Sequence, residues 1–135
     1  MILIIFIFLN IMKLLQISSL LFSSVTIHAY YVHNIFYHHI SLLITIISLL
    51  NHSENPCIYI KMIDSILAHY AYLQITITDS TIVIKKNPIM IIPSLIIPFC
   101  FWYVCLYPFY ANEIQFILHL IVSGTLHTYL YYLEN

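Results

Sequence analysis

Five long apolar stretches, parted by short polar turns, set the terms on which this chain can fold. They run over residues 14–32, 35–50, 57–77, 89–107 and 114–133. A helix that crosses a bilayer needs about 20 mostly apolar residues at ~1.5 Å each. The charges are too few for water as the solvent: 7% of the residues are charged, against about 25% in a soluble domain. That excludes a soluble globular enzyme and a disordered tail. It excludes a nucleic-acid binder too. Such a protein needs a basic patch, whereas this chain has four basic residues, all lysine, and a net charge of −1. The expectation is an all-α, multi-pass transmembrane helical bundle of about five spans. It forms one integral membrane domain over residues 1–135, with the lipid bilayer as its partner and a homo-oligomer as a further possibility.

The first stretch admits more than one reading, because Lys13 interrupts it. Either residues 2–12 form an apolar arm ahead of the span, or one long tilted helix starts near Met1. In a third reading Met12 is the start, and Leu14 to Ala29 resembles a signal peptide. The second stretch is short, and Asn51 to Pro56 follows it as a polar turn with Pro56 placed to open the next helix. The third is the most polar. Lys61, Asp64, Ser65, His69, Tyr72 and Thr76 recur at three- and four-residue steps, which puts them on one helical face. Residues 78–87 alternate in polarity, so a short hairpin around Asp79-Ser80 is an option. Pro88 opens the fourth stretch, and Pro93 and Pro98 inside it are expected to bend the helix. Pro108 to Glu113 reads as a turn. Tyr129, Tyr131 and Tyr132 close the fifth stretch as an interfacial aromatic belt. The lysine pair Lys85-Lys86 places the loop after the third span in the cytoplasm and the N-terminus outside.

Membrane helices that pack closely use small residues at their contacts. This chain has one glycine and four alanines beside 28 isoleucines, so serine and threonine must take that part. The isoleucine excess has a bland source as well, an AT-rich genome. Cys57, Cys100 and Cys105 have no metal-binding spacing and read as buried apolar thiols.

Ionisable groups within spans are costly and mark candidate sites. For Asp64 the bland alternative is neutralisation by Lys61, one turn earlier. His28, His33, His38 and His39 gather around the first loop, where interfacial histidines are ordinary. His119 and His127 share a face of the fifth span ~12 Å apart, so one ion cannot join both. Counting sides across five spans puts Ser48, His52, Asp64, Gln115 and His119 at one side of the membrane, where they can meet in one bundle mouth. Imidazoles beside a carboxylate and a hydroxyl are what a zinc-activated water requires.

The run Ser48-Leu-Leu-Asn-His52, then Asp64, then Gln115-Phe-Ile-Leu-His119 resembles the alkaline ceramidase and adiponectin-receptor superfamily of membrane hydrolases. That resemblance implies His52 and His119 as metal ligands, Ser48 and Asp64 as the catalytic pair beside the bound water, and zinc as the cofactor. Gln115 stands where the family has a third histidine, and five spans stand for seven. In texture the chain is also similar to uncharacterised multi-pass membrane proteins of large DNA viruses, which implies a host internal membrane or the virion membrane. Three functions follow as expectations. The first is a non-enzymatic, structural or accessory membrane protein with no identifiable activity. The second is a zinc-dependent membrane amidohydrolase acting on a lipid amide, active or degenerate. The third is a small channel or proton-linked carrier built on Lys61, Asp64 and His69.

Overall fold

The computed structural model describes residues 13–53, 55–106 and 111–134. The arm over 2–12 and residues 108–110 of the expected turn lie outside the described residues, as do the side chains of Thr76 and Cys105; the rest of that turn, residues 111–113, is already helical. The described chain is all-helical, with no strand. It forms five helical segments. The first is α1 (13–19) running into α2 (Leu21–Tyr31), and the second is α3 (Ile35–Asn51). The third is α4 (Ile58–Gln74), continued by a π-helical turn (Ile75–Asp79) and α5 (Ser80–Lys86). A 3-10 turn (Pro88–Met90) leads into α6 (Ile91–Leu106), and α7 (Ala111–Glu134) closes the chain.

Local chemistry sets the breaks. The hydroxyls of Ser18 and Ser19 both donate to the Leu15 carbonyl, at 2.9 and 2.8 Å. Hydroxyls that reach back to the preceding turn bend a helix. The Leu20 amide accordingly reaches Ile17 O at 3.1 Å, a tighter turn. At the end of α2 the chain reverses within three residues. His33 adopts the left-handed conformation (φ 56°), with Asn34 N–H donating to Ala29 O at 2.9 Å and His33 N–H to Tyr30 O at 3.1 Å. This is a Schellman cap, with histidine where glycine is usual. Asn34 also starts α3, its Oδ1 accepting from Tyr37 N–H at 3.1 Å.

Cross-helix hydrogen bonds define the packing. Ser19 meets Ser48 and Thr26 meets Ser41, each at 2.9 Å, so α1–α2 and α3 are antiparallel. Asn51 meets Asp64 and Tyr37 meets Asp79, so α3 and the α4 segment are antiparallel. Ser94 meets Tyr129, joining α6 to α7. The first and last helices run parallel, since Ser18 faces His119 and Ser24 faces His127. The core between them holds Val25, Tyr37, Val83, Leu126 and Leu130, all almost wholly buried. Ser18, Ser19, Ser41 and Ser48 are buried as deeply.

Two expectations from sequence are corrected. Residues 78–87 are not a hairpin: the helix carries on through the π-helical turn into α5. A continuous helix satisfies its backbone internally, and the β-branched residues that suggested strands cost a helix only tenths of a kcal/mol each. The Thr78 hydroxyl returns to Gln74 O within that turn. Pro93 is not a kink, because α6 begins at Ile91. A proline in the first turn lacks an N–H that would have no helical partner anyway. Pro98 is the interior proline.

By length and composition one described helix, Ile114–Glu134, is long and apolar enough to cross a membrane, while Ile35–Asn51 and Pro88–Cys100 are apolar but shorter.

The left-handed His33 gives a stability test. Glycine carries no Cβ penalty in that conformation, so His33→Gly is expected to stabilise the fold by about 1 kcal/mol. Thermal unfolding in detergent checks it; an unchanged or lower midpoint would contradict the cap.

Candidate functional site

An elongated cavity of about 230 Å³ lies among α3, α4, α6 and α7, with Phe22 of α2 on its wall. Its polar end holds Ser48, Asn51, Lys61, Asp64, Gln115 and His119. Its walls are apolar, with Ile44, Ala71, Ile97, Leu118, Val122 and Leu126. Its far end is lined by Tyr72, Ser94 and Tyr129. Gln115 and Tyr129 both line it, so it follows α7 for fourteen residues, ~21 Å of helix. The stepwise polar pattern of α4 explains the wall. Lys61, Asp64, Ser65, His69 and Tyr72 all line the cavity, and Ala71 is the one buried residue of that helix. The Asp64 carboxylate accepts from Asn51 Nδ2 at 2.7 Å. Asn51, not Lys61, is its partner.

Beside the polar end is a buried serine–histidine cluster. His119 Nδ1 is 2.8 Å from Ser18 Oγ. With the Ser18 hydrogen given to Leu15 O, His119 Nδ1–H donates to Ser18, and His119 Nε2 is left as the basic nitrogen. The same count applies to Ser19, which donates to Leu15 O and accepts from Ser48. The rings of His52 and His119 lie 5.5 Å apart between centroids, tilted by 60°, and Phe22 sets its edge against His119 at 5.5 Å. Two imidazoles sharing one tetrahedral ion have centroids ~5 Å apart, given Zn–N bonds of ~2 Å. His52 Nε2 is buried and has no hydrogen-bond partner. Most buried polar atoms are paired, so an orphan of this kind asks for an explanation.

The structure therefore brings His52 against His119, and places Ser48, Asp64, Gln115 and His119 around one cavity end. It does not bring Asp64 to either imidazole, since Asn51 holds it, and Ser48 bonds to Ser19. A catalytic zinc centre keeps three protein ligands. Among the described residues no three His, Cys, Asp or Glu side chains stand close enough to hold a metal, and the third family position is the amide Gln115. The donor set is one ligand short of that centre, so no hydrolytic step is derived through zinc.

Sequence reasoning missed Ser18, Ser19 and Asn51. The serines stand in an apolar stretch with no ionisable neighbour, and search for charge passes over them. The signal was there in the paired serines Ser18-Ser19 and Ser23-Ser24, small polar residues in a chain almost without glycine.

His52 caps α3, outside the helix proper, and burial pushes its pKa from 6.5 down to about 4. The unfolded chain therefore takes up this proton first as the pH falls. The stability that neutral His52 contributes is whole above about 6.5 and is lost as the pH falls toward about 4. The unfolding midpoint is expected to drop over that window, and to drop less in His52→Gln. Matching pH profiles for the two proteins would refute the assignment.

Compared with known proteins, the chain matches no protein-family model, no curated protein and no solved structure.

Proposed function

We propose that this chain is a multi-pass integral membrane protein of non-enzymatic, accessory type, whose inter-helix cavity holds one acyl chain of a membrane lipid. The cavity carries the reading: apolar walls, one polar end, and a length of ~21 Å along α7. The lipid chains of one leaflet occupy about half of a ~30 Å hydrocarbon core, so a single chain is accommodated end to end. At about 230 Å³ the space is narrow for its length, which suits a stretch of one flexible chain rather than a branched or ring-shaped ligand. Asn51, Lys61, Asp64 and Gln115 at the polar end suit a headgroup that both donates and accepts hydrogen bonds.

The outer surface supports the bilayer setting. Leu95, Phe99 and Trp102 of α6 are about 60% exposed or more, and Ile17, Ile58, Ile66 and Ile77 stand out likewise on other segments. Monomeric soluble proteins rarely expose contiguous apolar patches of more than a few hundred Å². Helices shorter than a full span, such as α3, are accommodated by local thinning of the bilayer.

Native mass spectrometry of detergent-purified protein tests the lipid reading. Wild type is expected to retain one acyl-chain molecule, and Ala68→Phe, which fills the cavity wall, to lose it while remaining in the membrane fraction. Retention by the variant equal to wild type, or protein recovered monodisperse without detergent, would overturn it.

A second reading, a zinc-dependent amidohydrolase acting on lipid amides, rests on one observation: the close approach of His52 and His119 with His52 Nε2 unpartnered. Zinc content separates the two. Stoichiometric metal lost in both His52→Ala and His119→Ala would favour the hydrolase, whereas a cavity that binds lipid with no metal at this pair supports the accessory reading.

A further inference from the structure

Ser24, His28 and His127 form a second cluster, away from the cavity. His28 Nδ1 and His127 Nδ1 are 2.9 Å apart, with ring centroids 5.1 Å apart and planes within 20° of each other. Ser24 Oγ lies 2.8 Å from His127 Nε2 and 2.6 Å from Leu21 O. A hydroxyl has one hydrogen to give. Ser24 gives it to Leu21 O and accepts from His127 Nε2–H. His127 Nδ1 is then bare, and the proton between the rings belongs to His28. Two imidazole nitrogens, from the first and last helical segments, face each other across a single proton.

The arrangement repeats one found two turns earlier on α7. There His119 bonds to Ser18 at 2.8 Å and carries the His52 ring against it at 5.5 Å. In both places an α7 histidine is oriented by a serine of the first segment and meets a second imidazole.

We infer that His28 and His127 form a two-imidazole site for a divalent transition metal of borderline softness, Zn²⁺, Ni²⁺ or Cu²⁺, which clamps α2 to α7. A tetrahedral ion with metal–nitrogen bonds of ~2.0–2.1 Å holds its nitrogens ~3.3 Å apart. From their near head-to-head arrangement, with nitrogens 2.9 Å and centroids 5.1 Å apart, the nitrogens separate by a few tenths of an ångström and each ring swings by about 35° to aim its lone pair at a tetrahedral ion. The His28 proton moves from Nδ1 to Nε2 as the ion enters, so both imidazoles bind as neutral ligands. Ser24 already fixes the tautomer and the ring direction of His127, the part that a hydrogen-bond partner plays for a ligating histidine. Both rings are half-buried, leaving water to complete the coordination. His28 lies in the last turn of α2, where the negative end of that helix dipole favours a cation. Imidazole ligands suit zinc, copper and nickel rather than magnesium or calcium.

The full chain in detergent is titrated calorimetrically with Zn²⁺ alone and with Ni²⁺ alone. Wild type and His52→Ala are expected to take up one ion at this site. His28→Ala and His127→Ala are expected to lose it, and Ser24→Ala to bind about 10- to 100-fold more weakly. If the alanine variants do not fold, His28→Gln and His127→Gln retain an N–H donor for the helix contact and are expected to lose the ion as well. Zinc is further expected to raise the unfolding midpoint of wild type and not that of His28→Gln. A wild type that binds neither ion, or an ion kept by both His28 and His127 variants, overturns the proposal and leaves the pair as a plain hydrogen bond between helices. Lipid retention is read separately, so loss of one result does not entail loss of the other.

Discussion

A chain with one glycine and four alanines brings its helices together through hydroxyls. Ser18, Ser19, Ser41 and Ser48 are small enough to let backbones approach, and all four are almost fully buried. Their hydrogens go back to carbonyls of their own helix or across to a neighbour. In the proposed bilayer setting each cross-helix bond contributes about 0.6 kcal/mol on average, so no single pair decides the fold. Their placement matters more. The same back-donation that satisfies Ser18 and Ser19 bends the first segment and turns the Ser18 oxygen toward His119.

Much of the architecture was legible in the chain. The apolar stretches correspond to helices and the turns at 33–34 and 52–53 to breaks, because those signals are local, although Pro56 lies ahead of the Cys57 cap instead of opening α4. The assembly of Ser48, Asp64, Gln115 and His119 at one end was legible by counting sides across successive antiparallel helices. What escaped was chemistry that only tertiary contact reveals. Asp79 reads as a turn residue, yet a π-helical turn aims its carboxylate at the Tyr37 hydroxyl, 2.8 Å away. Asp64 reads as paired with Lys61 by spacing, yet Asn51 at the end of α3 reaches it first. Pro93 reads as a kink only while the start of α6 is unknown. The paired serines of the first segment are marked in the sequence as small polar contact residues, but which helix they meet is decided only by tertiary packing against α3 and α7.

The cavity and the two histidine pairs divide the interior in a consistent way. The cavity occupies the space beside α4, where a single alanine is buried and neighbouring helices stand off. The contacts of Ser18 with His119 and of Ser24 and His28 with His127 form the seam between the first segment and α7, and His52 joins it from the end of α3. On the proposed reading, ligand exchange takes place on the loosely packed side, and rigidity comes from the seam.

That seam joins residues 99 to 103 positions apart in the chain. Ser18, Ser24 and His28 leave the ribosome long before His119 and His127 exist. At ~5–20 residues per second, the first segment waits roughly 5–20 s for its mate. During that interval its polar edge has α3 as a neighbour and no α7. Biogenesis of this fold therefore has a late, committing step: the arrival of α7 alongside α1–α2, which joins segments made about a hundred residues apart.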